Sequence, residues 1–591
     1  MAKTELLKKS TLLKKTIPYI KKEKGLFILT IVLCLLISGL NAITPFITKY
    51  VLDELLPFGQ YSLIVKYLIL YASLIVLLAI SRYAFQYVNN LTGMRIEKRI
   101  REEAIRKINY LPVDYYSLEP DGKIVAKITS DSGGVRVFYT TMFQIINALV
   151  NILIVYIAVI IMEPMLGLLI LIIVPVIIIW ITLYRKKVHS YFVDLRETGS
   201  RITGKLNELI VGTPIIQDFN QEDEMLDEYN DLTWRYVKND RKANTINIYF
   251  GWELLSLIKR LAEIGLLLYL GYTTINFGGV AVTIGLISAF VENLDKMINP
   301  INAIFNNLNE LEDSIVAATR VYMFIDEAND TRIFDGELAP SIDGDVKFED
   351  VKFAYVADKQ VLNGISLDVE AGKTIGIVGQ TGSGKSTLMN LLLQYNDYDS
   401  GHIYVDGEEI NKYNKASYRE NLGIVLQSPA LFAGTIKSNI TMGRDYPDDV
   451  VEDVINKVGA SHLIKKNEKG IYAPVSFRGE NLSLGEKQLI AFARILLRNP
   501  KIVILDEATA NIDSDTEEKI KNAMSIISKG RTTFIIAHRL STIKDADSII
   551  VFEDGNIVGE GKHDYLYKNC LTYKDMYDSQ YKNLLKNQEE A

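Results

Sequence analysis

Residues 25–48, 137–162 and 164–184 contain no charged side chain. Each stretch exceeds the ~20 residues that a helix needs to cross the ~30 Å hydrocarbon core of a bilayer. Inside lipid no water is at hand to satisfy backbone N–H and C=O groups, so a lone spanning segment has to be a helix. Two further stretches read the same way with interruptions: 61–86 carries Lys66 and Arg82, and the charge-free 264–291 carries Gly278-Gly279, which predicts the outer halves of two helices joined by a short turn. The pattern predicts six crossings, near 26–50, 61–88, 138–162, 164–185, 246–276 and 280–305. The first 24 residues hold eight lysines, and the loop after the second crossing is basic (Arg95, Lys98, Arg99, Arg101, Arg106, Lys107). The positive-inside tendency puts both on the cytoplasmic side, and an even number of crossings returns the C-terminus there. A secretory signal is the rival reading of the N-terminus, but the apolar run is longer than a usual signal core.

The second constraint is Gly379-Gln-Thr-Gly-Ser-Gly-Lys-Ser386, placed after the apolar, strand-like 374–378 and opening the helix-like 387–393. Glycines at Gly379, Gly382 and Gly384 let successive N–H groups turn toward phosphate oxygens. Lys385 can reach the β and γ oxygens, and the Ser386 hydroxyl suits Mg²⁺. The neighbouring Gln380, Thr381, Ser383 and Thr387 belong to the same cradle. Chance alone would give these fixed positions in roughly 2% of chains of this length, so its companions matter. A second strand-like run, 501–505, delivers Asp506 and Glu507 at its end, one acid for the metal shell and one to orient an attacking water. His538, after 533–537, is placed to sense the γ-phosphate. An acidic pair after a strand, or a lone histidine, is ordinary by itself; here strand, loop, helix, acidic strand end and histidine follow in the order that one α/β nucleotide fold requires.

Between loop and acidic strand stands Asn481-Leu-Ser-Leu-Gly-Glu-Lys-Gln488, and with it the chain resembles the ATP-binding cassette (ABC) transporters. The resemblance implies further roles: Tyr355 stacking on adenine, Gln427 at the metal, Ser483 and Gly485 of the signature on the γ-phosphate of a facing cassette, and Asn511-Ile-Asp513 following the catalytic strand. It implies ATP and Mg²⁺ as cofactors, with Glu507 and His538 catalytic, and Ser386 and Gln427 as metal contacts. The family's usual signature is Leu-Ser-Gly-Gly-Gln. This chain has Leu484 and Glu486 at the third and fifth positions, which puts one nucleotide site in doubt.

The expected organisation is a basic N-terminal segment (1–25), a six-helix exporter-type membrane domain with long cytoplasmic loops (26–325), a linker (326–345) and an α/β P-loop ATPase domain of the ABC type with a helical tail (346–591). The polar stretches 95–136 and 185–241 should extend membrane helices into the cytoplasm. Within them, 114–129 and 212–220 resemble the coupling segments that dock on the cassette. One cassette and one bundle make a half-transporter, so the resemblance implies a dimer. The altered signature favours a heterodimer like bacterial multidrug exporters, with a homodimer as the alternative. The expected place is the bacterial cytoplasmic membrane, with the ATPase inside.

Cargo is less legible. Charges fall at membrane depth on the last two helices: Glu253, Lys259, Arg260 and Glu263, then Glu292, Asp295 and Lys296. They predict either a polar cavity wall for amphipathic cargo or pairs closed along their own helices, such as Lys259 with Glu263 at i, i+4. Drug, lipid and peptide exporters share these motifs, and an ATP-gated channel or sensor is the reading from another class. Only Cys34 and Cys570 are present, so neither a disulfide framework nor a cysteine metal site is expected. A net charge of −7 over 591 residues argues against a nucleic-acid partner. The basic N-terminal stretch points to anionic lipid.

Overall fold

The computed structural model describes residues 9–277, 283–333, 335–356, 359–506, 514–537 and 539–589. Packing divides the chain into two compact units. One comprises Met1–Ile108 with Asp121–Glu327, and the other Asn109–Pro120 with Ala328–Ala591.

The first unit is helical throughout its described residues. α1 (Lys9–Lys22) is followed by α2 (Lys24–Tyr50), which ends in a wider π-type turn, Val51–Leu55, and then by α3 (Tyr61–Ile108). At 48 residues α3 is about 72 Å long, more than twice what the hydrocarbon needs. Its polar half is therefore a continuation of the membrane helix and not a separate loop. After the short α4 (Val113–Leu118), which packs with the second unit, come α5 (Asp121–Ile128), α6 (Ser130–Met162), α7 (Pro164–Asp218) and α8 (Glu222–Phe250). The last two are α9 (Trp252–Phe277) and α10 (Ile284–Asp326). Among the described residues, Lys24–Leu55, Tyr61–Ile108 and Asp121–Met162 qualify as membrane spans by length and hydropathy. Helices α7, α9 and α10 cover the other three expected crossings. The fifth differs in its start: the helix was expected from 246, but the chain breaks at Gly251, where the missing Cβ weakens helical preference, and resumes at Trp252. Gly278-Gly279, the expected outer turn, lies outside the described residues.

Glu23, 7% exposed, sits between α1 and α2 and accepts from Arg99 at 2.7 Å and Arg95 at 3.1 Å, both on α3. The Arg99 guanidinium, helped by Arg95, holds its carboxyl below the usual glutamate range. This clamp fixes α1 against the bundle.

The second unit holds two main sheets. The antiparallel one runs β2-β1-β4-β5, with β1 Val346–Val356, β2 Lys359–Val369, β4 Ser400–Val405 and β5 Glu408–Glu409. The larger runs β12-β11-β3-β10-β9-β6. Its members are β3 (Thr374–Gly379), β6 (Leu422–Val425), β9 (Ile502–Asp506), β10 (Thr532–Ile536), β11 (Ser548–Glu553) and β12 (Asn556–Gly561). A short pair, β7 (Gly434–Thr435) with β8 (Pro474–Val475), stands apart. β11, β3, β10, β9 and β6 are parallel, and β12 is an antiparallel edge. The parallel strands are covered on both faces, hence their nearly unbroken apolar sequence: Val503, Ile504, Leu505 and Phe534 are each 0% exposed. In such sheets ligands gather at the carboxyl ends of the strands. Helices follow them: α11 (Lys385–Leu392), α12 (Lys415–Glu420), α13 (Ile436–Thr441), α14 (Asp448–Lys457), α15 (Ser461–Lys465), α16 (Leu484–Arg498), α17 (Ser514–Ser528), α18 (His563–Asn569) and α19 (Leu571–Glu589).

Candidate functional sites

The loop between β3 and α11 lies at the carboxyl end of a central strand. Gly382 and Gly384 adopt φ of +86° and +105°, the left-handed region that a Cβ disfavours. A Cβ on Gly384 would also stand 2.8 Å from Leu362. Gly384 is the residue at the N-cap of α11, so no side chain closes that helix start and its first-turn amides stay available to an anion. Lys385, 6% exposed, lies across the loop and donates to the carbonyls of Gly379 (2.9 Å) and Gln380 (2.8 Å). The Ser383 hydroxyl oxygen is shut off from solvent and has no hydrogen-bond partner among the described residues. A cradle of glycines, an uncapped helix start, a lysine over the loop and an orphaned hydroxyl fit a triphosphate. Gln380, Thr381 and Ser386 are exposed on its rim, with Thr387 buried behind.

The register of the sheet brings a carboxylate to the same edge. Asp506 ends β9 and pairs with Ile536 of β10, while Ile536 pairs with Ile377 two residues before the loop. Gln427 follows β6, the next strand outward, and its carbonyl accepts from Gln488 at 3.4 Å. The hydroxyl of Ser386, the carboxamide of Gln427 and the carboxylate of Asp506 are hard oxygen donors of the kind Mg²⁺ takes beside phosphate and water. Tyr355, at the end of β1 and half exposed, donates to Thr387 Oγ1 at 3.3 Å. That bond ties the expected adenine platform to the helix of the phosphate loop. Glu507, Asn511 to Asp513 and His538 lie outside the described residues.

The signature segment is built differently from the phosphate loop. Ser483 is the N-cap of α16: its Oγ accepts from the Glu486 amide at 3.2 Å, and its own amide donates to Glu486 Oε2 at 2.7 Å. This is a closed capping box. Gly485 is buried in the first turn. The start of α16 thus already holds a carboxylate where the start of α11 is open.

In the membrane unit two prolines create the polar centre. Proline lacks an N–H, so the carbonyl four residues earlier loses its helical partner. Pro45 in α2 frees the Asn41 carbonyl, which accepts from the Lys296 ammonium at 2.9 Å. Pro300 in α10 frees the Lys296 carbonyl, which accepts from Asn151 of α6 at 2.9 Å. Lys296 also donates to Thr44 Oγ1 and pairs with Glu292 at 2.6 Å, and Glu292 in turn accepts from Thr48 at 3.2 Å. Beside this knot a cavity of about 530 Å³ opens among α2, α3, α6 and α10.

Of the seven charged residues expected to wall a cavity, only Lys296 lines this one among the described residues. Lys259 pairs with Asp295 and, at 3.5 Å, with Glu263, and Arg260 reaches Glu263 at 3.6 Å. The pairing closed along the helix is therefore the arrangement found for Lys259 and Glu263, with Asp295 of α10 added. The polar part of the wall is made instead of carboxamides, which the sequence reading passed over by tracking charge alone, and of Arg82, noted there only as an interruption of the second crossing. A signal was there: Gln144, Asn147 and Asn151 recur at i, i+3 and i+7 along the mostly apolar 142–162 of α6, which sets them on one helical face.

A mostly parallel sheet with a phosphate loop and an acidic strand end at one edge, in one chain with a long-helix membrane bundle, defines an ABC exporter. Comparison with known proteins agrees: residues 27–301 match the ABC transporter transmembrane region and residues 362–510 the ABC transporter domain. A Bacillus subtilis protein described as "Probable multidrug resistance ABC transporter ATP-binding/permease protein" is 36% identical over 90% of this chain and 79% of its own length. A "Multidrug resistance-like ATP-binding protein" of Buchnera aphidicola is 31% identical over 96% of this chain and 98% of its own. The fold matches that of a bacterial Atm1-family ABC exporter with ATP bound, with a TM-score of 0.78 at 23% identity, covering 94% of this chain and 99% of that one. The chain belongs to the ABC transporter family: it is a multi-pass membrane protein whose nucleotide-binding domain hydrolyses ATP to drive export. ABC exporters work as dimers.

Proposed function

We propose that this chain is the catalytic half of a heterodimeric exporter that moves amphipathic, drug-like cargo out across the bacterial cytoplasmic membrane. In this reading residues 26–325 carry the cargo path, 326–345 link, and 346–591 form the ATPase, which sits on the cytoplasmic side with both termini. Lys385 and the loop amides hold the β and γ phosphates, Tyr355 stacks on adenine, and Ser386, Gln427 and Asp506 face Mg²⁺. The metal neutralises phosphate charge. Glu507 orients the attacking water and His538 senses the γ-phosphate. Closure of two cassettes around ATP and their release after hydrolysis alternate the opening of the helix bundles. The multidrug names of the relatives support drug-like cargo, and lipid and peptide cargo use the same architecture.

The observation that carries the heterodimer is the contrast between the two helix starts. α11 is left open for an anion, while α16 is closed by the Glu486 carboxylate. A facing γ-phosphate would meet a negative charge at the site this signature completes, so that site should be weak. The site built on this chain's own phosphate loop needs an intact signature from a partner. Expressing the chain alone and with a second half-transporter tests it: ATP hydrolysis and transport should appear only with the second chain. A stable homodimer with robust transport-coupled hydrolysis would mean that Ser483 suffices despite Leu484 and Glu486.

A further inference from the structure

We infer that the cavity among α2, α3, α6 and α10 selects an amphipathic anion, with Arg82 as the residue that reads the negative head group. This rests on the export reading for its purpose but not for its chemistry. Two cations border the cavity, Lys296 and Arg82, and no carboxylate does among the described residues. Lys296 is committed, because its ammonium is shared by the Asn41 carbonyl, Thr44 Oγ1 and the Glu292 carboxylate. Arg82 is not. Its one hydrogen bond goes to the neutral Asn41 Oδ1 at 3.2 Å, and no carboxylate lies within ion-pair distance of it among the described residues.

A guanidinium within an apolar crossing is costly to leave without a counter-charge, and its planar fork suits two oxygens of one acid group. The carboxamides around it donate and accept equally well, so they solvate a head group of either sign. Arg82 is what breaks the tie. Asn147 Oδ1, in the same wall, is shut off from solvent with no partner among the described residues. Ile37 and Phe85 supply an apolar flank. The volume is within the range of sites that take a small molecule or the head and first carbons of a longer chain.

The test is binding to the full-length protein, assembled as it is expressed, of three fluorescent probes sharing one acyl tail: the carboxylic acid, its methyl ester and its trimethylammonium analogue. The acid should bind about tenfold more tightly than either other probe, a preference of the size one well-placed charge gives. Arg82→Gln should shrink the preference to below about twofold, and Arg82→Lys, which keeps the charge but loses the fork, should keep an intermediate part of it. Added salt should weaken the acid's binding to the wild type and leave the ester's unchanged, a measurement that needs no variant. Ester or cation binding as tightly as the acid, or an unchanged preference in Arg82→Gln, overturns the inference. ATP-dependent accumulation of the probes in inverted vesicles is read separately. Its failure for all three with the acid preference intact counts against export and not against the anion site.

Discussion

Glu486 is three residues past the N-cap of its helix, and there it does two things at once. It satisfies the Ser483 amide and places a negative charge at the positive end of the helix dipole. A glutamine in its place can still close the capping box, so Glu486→Gln separates the charge from the fold. Removing a carboxylate from a helix start changes an anion's energy there by about 0.3–1 kcal/mol, which predicts ATP bound roughly two- to fivefold more tightly at the site this signature completes. Nucleotide titration of the assembled transporter measures it. An unchanged affinity would show that Leu484, not the charge, weakens the site. Glu507→Gln addresses the other site. Hydrolysis should fall by about 10²–10⁴ while ATP binding survives, and more than half of the wild-type turnover would remove Glu507 from the catalytic role. Glu486 was legible in the sequence because its signal is local, a signature that departs from its family in two positions, whereas Glu507 rests on the expectation that an acid at a strand end orients water. The bond from Glu486 back to Ser483 was equally local, since Ser and Glu three apart before an apolar run spell a capping box. It went unread because the segment was compared with a family pattern and not with helix-capping chemistry.

At the scale of elements, the helices follow from the charge-free runs, and the polar extension of α3 follows from helix-forming composition without a breaker, while that of α7 stays helical through Gly212 and Pro214. What the sequence reading could not supply is which polar side chains meet. Pro45 and Asn41 lie on one helix and Lys296 and Pro300 on another, 255 residues away from Asn41 to Lys296, so the exchange of freed carbonyls depends on tertiary packing. The Glu23 clamp is of the same long-range kind, linking the α1–α2 corner to α3. Glu23→Gln would leave Arg95 and Arg99 without their carboxylate. Loss of charged hydrogen bonds of this sort costs about 1–3 kcal/mol, and thermal unfolding of the purified protein should shift down by several degrees. The pH dependence has a definite sign. The carboxyl is held below its usual range in the folded chain, so its contribution is present above that range and is lost as pH falls through the lowered value. Glu23→Gln should lack that component, and a variant with the wild-type acid sensitivity would place the clamp's stabilisation elsewhere.

At the scale of the whole molecule, Asn109–Pro120 belongs by its contacts to the unit that carries the phosphate loop, although its chain neighbours on both sides are membrane-unit helices. Asp114 at the start of α4 accepts from Asn396, and the Tyr110 carbonyl accepts from the Asp330 amide at 2.7 Å. Partial burial, with Asp397 nearby, pushes the Asp114 carboxyl above its usual range, although the residue keeps an exposed side. The sequence raised the expectation that 114–129 couples to the cassette, but the bond from Asn396 to Asp114 was invisible, since nothing local to 396 indicates which distant residue will reach it. Asp114→Ala should leave ATP hydrolysis within about twofold and cut transport per ATP by more than that, as expected when a contact transmits motion without touching the nucleotide. Transport and hydrolysis falling in parallel would assign it to stability alone. The same segment also orders events in time. A ribosome adding roughly 5–20 residues per second needs about half a minute or more to go from residue 120 to the end of the chain. Until then residues 109–120 lack the rest of the unit they pack with. An ATPase fragment begun at residue 328 would therefore be missing a piece of itself, and supplying 109–120 as a separate peptide should raise its stability.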